Sequence, residues 1–336
     1  MSLKFHAQKE AENHYNKALK LNPGHAPSIS NLGEIYFAGG NEDRAKQYWN
    51  QAVKADGKIV AARNNLAWLL IRDIRDGKAS LKSTEPEVYA HKQRRWSALG
   101  VIAFALTISF SAFDYLMSLD PHWFSTMFGV YFFTGCALTI FSFLVLILAL
   151  LLRSGYLTNI VTNEHFHDLG KFMFGFTVFW TYISFSQYFL IWYANIPEET
   201  HWFAYRGHGD FLTISIGLVF LRFVLPFFIL LRRPLKRNPN QLIIMAVWLL
   251  VMEIYELFWA IQPAYNHHLA NHFKGIGNYE AAHYYETHAL FGGTDIGMIV
   301  CFIGVFLAVF GWALNKHALV PVNDPRLQES INHENF

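Results

Sequence analysis

The chain of 336 residues is 53% hydrophobic and 17% aromatic, with only 15% charged residues and a formal charge of +2. This is too apolar for an ordinary water-soluble domain, and the polar opening excludes a chain that lies in a membrane throughout, so two parts are expected. The near-neutral balance and the lack of a basic motif imply no nucleic-acid partner.

Residues 11 to 70 repeat at a period of 34: Ala11 matches Ala45, Tyr15 matches Trp49, Ala18 matches Ala52, Leu19 matches Val53, Asn31 matches Asn65 and Leu32 matches Leu66. The period and the small-large alternation of Leu32-Gly33-x-x-Tyr36 and Ala45-x-x-x-Trp49 resemble the tetratricopeptide repeat, in which small residues let paired helices approach and large ones fill the gap. Residues 1–72 are therefore expected to form one complete helical repeat with a half-repeat on each side. So short an array serves either as a docking platform for a cytoplasmic peptide or protein or as a structural cap. Residues 73–93, with Gly77, Pro86 and many charges, read as a linker. The opening Met-Ser-Leu-Lys runs into a polar helix and is read as no cleavable signal peptide.

From residue 94 to 318 six apolar runs alternate with more polar connections, at approximately 97–117, 127–152, 170–194, 211–231, 241–262 and 293–315. Each is long enough to cross a hydrocarbon core of about 30 Å. The expected fold is all-α: a six-span transmembrane bundle, a small N-terminal tetratricopeptide-like domain and a polar tail over 319–336. Lys92, Arg94, Arg95, Arg153, Arg232, Arg233, Lys236, Arg237 and Lys316 fall on one side, against Arg206 and Lys274 on the other. The positive-inside rule then places both termini in the cytoplasm. His122-Trp123-Phe124, His201-Trp202 and Tyr284-Tyr285 on the outer side read as interfacial anchors.

Charges inside the spans point to function, because an ionisable group at mid-membrane depth is costly unless paired or wetted. Arg222 lies near the centre of one span, and Glu253 and Glu256 lie one turn apart on the next, so an antiparallel neighbour can bring the arginine to either glutamate. Two carboxyls that close should share a proton. The trio is expected to be a proton-relay element or a structural ion pair. Thr107, Ser111, Asp114 and Ser118 form a polar row on the first span; Thr177, Thr181, Ser184 and Tyr188, with Gln187 beside them, form another on the third. Two such rows can hold a file of waters, or their hydroxyls can bond between helices, which is the reading taken here for the hydroxyls; Asp114 is taken as functional. His165, His167, Asp168 and Lys171 at the inner mouth of the third span either gather protons or form a solvated helix start. His267, His268 and His272 include an i, i+4 pair, yet no carboxylate or cysteine ligand accompanies them at regular spacing, so no metal is expected. Cys136 and Cys301 sit inside apolar runs as packing residues. No cysteine motif for haem or iron–sulfur clusters, no glycine-rich nucleotide loop and no nucleophile motif occurs, so the chain is expected to hold no redox cofactor.

The run Phe113-Asp114-Tyr115-Leu116-Met117-Ser118-Leu119-Asp120-Pro121-His122-Trp123-Phe124-Ser125-Thr126-Met127-Phe128-Gly129 resembles the second of the two large quinone-related membrane subunits of bacterial alternative complex III, in the polysulfide-reductase-like membrane family. So do His167-Asp168-Leu169-Gly170-Lys171, the stretch from Gln187-Tyr188 through Ile191 to Thr200, and the segment from Pro226 to Pro239. The resemblance covers roughly Arg94 to Ala313. That subunit carries further spans before the matching six, and here the tetratricopeptide segment stands in their place. The resemblance implies a non-catalytic subunit of a quinol-oxidising respiratory assembly in the bacterial inner membrane. Haem and iron–sulfur clusters would sit on partner membrane and periplasmic subunits, quinol would be the small molecule within reach, and this chain would supply proton paths. The residues within the family's motifs are Asp114, His122, His167, Asp168, Lys171 and Tyr188. Two other functions fit the residues: a membrane-anchored scaffold or assembly factor recruiting through the repeat, and a lone proton or ion transporter working through Asp114, Arg222 and the glutamates.

Overall fold

The computed structural model describes residues 2–75, 86–157, 160–316, 319–320 and 327–334, and among them there is no strand. Of the expected linker, residues 76–85 lie outside the described residues, as do 321–326 and 335–336 of the tail. The helices run α1 Ser2–Leu21, α2 Ala26–Ala38, α3 Glu42–Ala55, α4 Val60–Arg75, α5 Pro86–Tyr115, α6 Met127–Arg153, α7 Asn163–Ala194, α8 Pro197–Tyr205 and α9 Gly209–Gly217. A π-helical turn, Leu218–Val224, then leads into α10 Leu225–Leu230, followed by α11 Arg233–Arg237, α12 Pro239–Gly275, α13 Tyr279–Thr287, α14 Gly293–Leu314 and α15 Leu327–Ile331. The chain forms two compact units, one of residues 1–90, 156–160 and 293–332 and one of 91–155, 161–292 and 333–336.

In the first unit α2 and α3 make the complete repeat, with α1 and α4 as the flanking halves. The alternation expected from sequence is physical here: a Cβ on Gly33 would lie 2.5 Å from Trp49 Nε1, so only glycine lets the indole cross. Trp49 is 2% exposed and its Nε1 donates to the Ser30 carbonyl at 3.1 Å. Arg72 on α4 makes a two-pronged bond to Glu42 on α3, at 2.7 and 2.6 Å. None of the α14 residues is buried. Its exposed Val300, Phe302, Val305 and Phe306 are what a helix facing acyl chains presents.

Among the described residues five helices are long and apolar enough to cross a membrane: Arg94–Leu119, Met127–Arg153, Gly209–Leu230, Pro239–Gly275 and Gly293–Leu314. The other expected span, 170–194, lies on α7, which has the length. Its threonines, serines, Gln187, Asp168 and Lys171 leave it less apolar than the five. One face of α7, with Phe166, Gly170, Met173, Thr177, Trp180, Ile183, Gln187 and Ile191, is buried at helical spacing. The helix begins in a capping box between Thr162 and His165 and ends at Asn195 in the left-handed region (φ 52°), two residues before Pro197. In this unit Leu138, Val145, Phe166, Met173, Leu230, Leu242 and Leu249 pack together. A second cluster holds Trp123, Phe128, Tyr131, Trp180, Ile183, Trp202 and Leu218.

The helix α12 runs well past the expected end at 262. At 1.5 Å per residue, its 37 residues make it roughly 55 Å long, longer than a membrane core, and Pro263 lies inside it. The proline removes the donor that would serve the Trp259 carbonyl. Arg206 supplies the replacement, with Nε to the Trp259 carbonyl at 3.2 Å and Nη2 to the Ala260 carbonyl at 2.7 Å, and the helix continues past the proline.

Candidate functional site

The π-helical turn has a local cause. Pro226 carries no N–H, and its ring would press on the carbonyl of Arg222 four residues back, so the helix widens. The Leu225 N–H reaches five residues back to the Phe220 carbonyl, which leaves the Leu221 carbonyl facing Pro226 without a backbone donor. Trp248 Nε1 on α12 fills that place at 2.8 Å. Arg222 sits within this turn and is fully buried.

Its guanidinium meets both glutamates of α12. Nη2 is 2.6 Å from Glu253 Oε2 and is also paired with Glu256 Oε2. Trp180 of α7 closes the site from another side, its Nε1 donating to Glu256 Oε1 at 2.6 Å and its ring lying 4.7 Å from the guanidinium carbon. Glu253 lies against α6 at Gly135, where a Cβ would come within 2.9 Å of Oε1 and 3.5 Å of Arg222 Nη2. Beside the glutamates is a space of about 10 Å³, lined by Leu116, Phe128, Tyr131, Gly135, Glu253 and Glu256, at the limit of what holds one water. One guanidinium and two carboxyls are neutral together when one carboxyl keeps its proton, the arrangement with the smallest cost of burial. Such a trio can hold a proton at mid-span and pass it through one water.

The other predicted residues are distributed differently. Asp114 ends up in the last turn of α5, exposed, with its carbonyl accepting from Ser118 Oγ at 2.5 Å. His122 is exposed in the following turn, and Tyr188 is 46% exposed with its ring 5.1 Å from Phe203. Among the described residues no hydrogen bond or ion pair joins these three to one another or to the Arg222 trio. The hydroxyl rows do not bond between helices: Thr107 donates to the Ala103 carbonyl, Ser111 to Thr107, Thr177 to Met173, Thr181 to Thr177 and Ser184 to Trp180. The nearest free acceptor for a short hydroxyl on a helix is the carbonyl one turn back, and it wins over a partner on another helix. Gln187, beside the second row, does reach across, donating to Ser125 Oγ at 3.2 Å.

The residues at the start of α7 are brought together. Asp168 accepts from Lys171 Nζ at 2.6 Å and meets His333 Nε2 of the tail at 2.7 Å. His167 is 6% exposed and held below its ordinary pKa, first by burial and then by the positive charges of Lys171, Lys236 and Arg233. In the last part of α12 His267 Nε2 receives Tyr205 OH at 3.2 Å and Asn271 Nδ2 at 2.9 Å, so this nitrogen acts as an acceptor. No group of three metal-ligating side chains occurs among the described residues.

Sequence reasoning missed four participants. Tyr131, Gly135 and Trp180 look like ordinary membrane-helix residues, and only the last, next to Thr181 of a polar row, offers a signal. Arg206 was counted as an outer-loop charge, yet it is 2% exposed and stacked 3.4 Å over Trp202, with Nη1 donating to the Trp202 carbonyl at 2.6 Å. Its signal was Pro263, which predicts an orphan carbonyl at Trp259. Asp120 and His201, 3.4 Å apart, pair the turn after α5 with α8.

Residues 7–72 match the tetratricopeptide repeat family. A comparison of the chain with curated proteins gives no match.

Proposed function

We propose that this chain is a proton-handling membrane subunit of a quinol-oxidising respiratory assembly, non-catalytic by itself, with haem and iron–sulfur centres on partner subunits. The observation that carries the proposal is the buried Arg222–Glu253–Glu256 trio beside room for one water. An ion pair with a spare carboxyl in mid-span is a costly device for packing alone, and proton transfer is the use that repays the cost. The sequence motifs around Asp114, His167 and Tyr188 supply the quinol assembly as the setting. In this proposal both termini face the cytoplasm of a bacterial inner membrane. Asp114, His122 and Tyr188 then stand at the outer end of the bundle, His167, Asp168 and Lys171 at the inner end, and the trio lies between.

The test separates holding a proton from holding the fold. Arg222→Leu strands two carboxyls and should cost about 3–5 kcal/mol of stability, read as thermal unfolding in detergent. Glu256→Gln keeps the shape and the Trp180 contact and should unfold near the parent. In the assembled complex in proteoliposomes it should oxidise quinol with reduced proton translocation. If Glu256→Gln and Glu253→Gln both translocate like the parent, the trio is structural and the proposal falls.

The repeat match supports a second function, in which residues 1–72 recruit a cytoplasmic protein and the spans anchor it. Removal of residues 1–85 would then abolish recovery of partner subunits on purification while the spans still insert.

A further inference from the structure

The array of helical pairs stops half-way. The family match ends at residue 72, within α4, which is the first helix of a repeat whose second helix the matched segment lacks. In the complete repeat that second helix is α3, and it crosses α2 at Gly33, where the Trp49 indole enters. The period of 34 carries Gly33 onto Ala67, so α4 keeps a small residue at its own crossing point. Ala67 is 2% exposed. A terminal helix with that place open presents an apolar face to water unless something covers it.

The chain's own tail is seated on α4. The short helix α15 packs on it, and ahead of α15 the Leu319 N–H donates to Asn64 Oδ1 at 3.2 Å. The neighbouring asparagine faces another way, Asn65 Nδ2 reaching Glu34 Oε1 of α2 at 3.4 Å. Thus α4 is held to the repeat on one side and receives the tail on another. Val320, Leu327 and Ile331 are buried, while Glu329 and Asn332 are exposed. Leu327 and Ile331 stand four residues apart, on one face of the helix. A helix of five residues has no stability of its own in water, so a buried aliphatic pair on it reports docking rather than propensity.

We propose that α4 carries a docking face for a short amphipathic helix with aliphatic residues at i and i+4, and that α15 fills it in cis as the second helix of the open half-repeat. A partner protein gains the face by presenting a helix of the same pattern, in competition with a tail that its tether keeps at hand. The face itself stands on the repeat match and on the contacts of the tail; its use by a partner rests on the recruitment function proposed for residues 1–72.

Hydrogen exchange of the full chain in a mild detergent tests this. In the parent the amides of α15 should be protected. In the double variant Leu327→Asp, Ile331→Asp the tail should leave α4, whose amides should exchange at least about tenfold faster while those of α2 and α3 keep the parent rate. A peptide of residues 319–332, added at up to about 1 mM, should return α4 of the double variant to the parent rate, and the same peptide with both aspartates should not. Glu329→Ala, on the exposed side of α15, should behave as the parent. An α4 that exchanges alike in the parent and the double variant overturns the docking of the tail. A peptide that gives no protection overturns the face as a site for a separate helix. Should α2 and α3 lose protection too, Leu327→Ala and Ile331→Ala singly carry the comparison, and an α4 unchanged in both overturns the proposal. Protection of α4 by the tail, with full recovery of partner subunits by a chain lacking residues 1–85, would leave the cis docking standing and remove the recruitment function, so the two claims fail separately.

Discussion

At Gly135 one hydrogen atom in place of a methyl group is what lets a carboxylate rest against a membrane helix. A Cβ there would stand 2.9 Å from Glu253 Oε1, and the carboxylate cannot retreat without leaving Arg222, 2.6 Å away. Gly135→Ala should therefore cost about 1–3 kcal/mol, while Gly175→Ala, where a Cβ meets nothing within 4 Å, should be neutral or stabilising by up to about 1 kcal/mol. Thermal unfolding of the two variants side by side checks this. In the repeat, the Tyr36 hydroxyl donates to Glu12 Oε1 at 2.7 Å, and that bond, helped by partial burial, pushes its pKa up to about 12. The protonated phenol is the bonded form, and an unfolded tyrosine titrates near pH 10. Its contribution is thus complete below about pH 10 and disappears as the pH rises through 12. The difference in unfolding temperature between the parent and Tyr36→Phe should shrink over that window; a constant difference would mean that the bond to Glu12 is not what the hydroxyl contributes.

Two elements are shaped by prolines whose missing donors are replaced from elsewhere. Pro226 opens the π-helical turn that carries Arg222, and Trp248 Nε1 takes the carbonyl left at Leu221. Trp248→Phe keeps most of the packing and strands that carbonyl, so it should cost about 1–3 kcal/mol. Pro263 opens α12 at Trp259, and Arg206 occupies the opening with bonds to three carbonyls and a stack on Trp202. Arg206→Leu should be strongly destabilising in the parent. In a Pro263→Ala background the backbone N–H of residue 263 can serve Trp259 itself, and the same substitution should cost less, with a coupling of about 0.5–3 kcal/mol. Additive costs in that double-mutant cycle would show that Arg206 is held by its indoles rather than by the kink.

For the molecule as a whole, charge asymmetry is the argument for orientation. With Cys136 and Cys301 replaced by serine, single cysteines at Gly207 and Arg232, both exposed, probe the two ends of the same helical passage. An impermeant thiol reagent applied to intact cells should label Gly207→Cys and spare Arg232→Cys. The reverse pattern would invert the proposed topology, exchanging the faces to which the start of α7 and the Tyr205–His267 pair belong. The short repeat adds little burial of its own, because one complete repeat stacks on only half a neighbour at each end. Its contribution is sought in recruitment rather than in the fold of the spans.

Much of this was written in the chain itself. A period of 34 marks the repeat because each helical pair must present the same small and large residues to the next. Apolar length marks the membrane helices because no water is available to satisfy a backbone that leaves the helix within the lipid. The meeting of Arg222 with Glu253 and Glu256 follows from three charges placed at one depth, since none of them tolerates solitude there. Which carbonyl a threonine chooses, which arginine reaches the carbonyl freed by a proline and which glycine faces a carboxylate depend on how each helix is rotated against its neighbours. That rotation is set by the summed packing of many side chains on different segments, as Gly135 against Glu253 and Gly170 against Lys236 show, and no local stretch of sequence carries it.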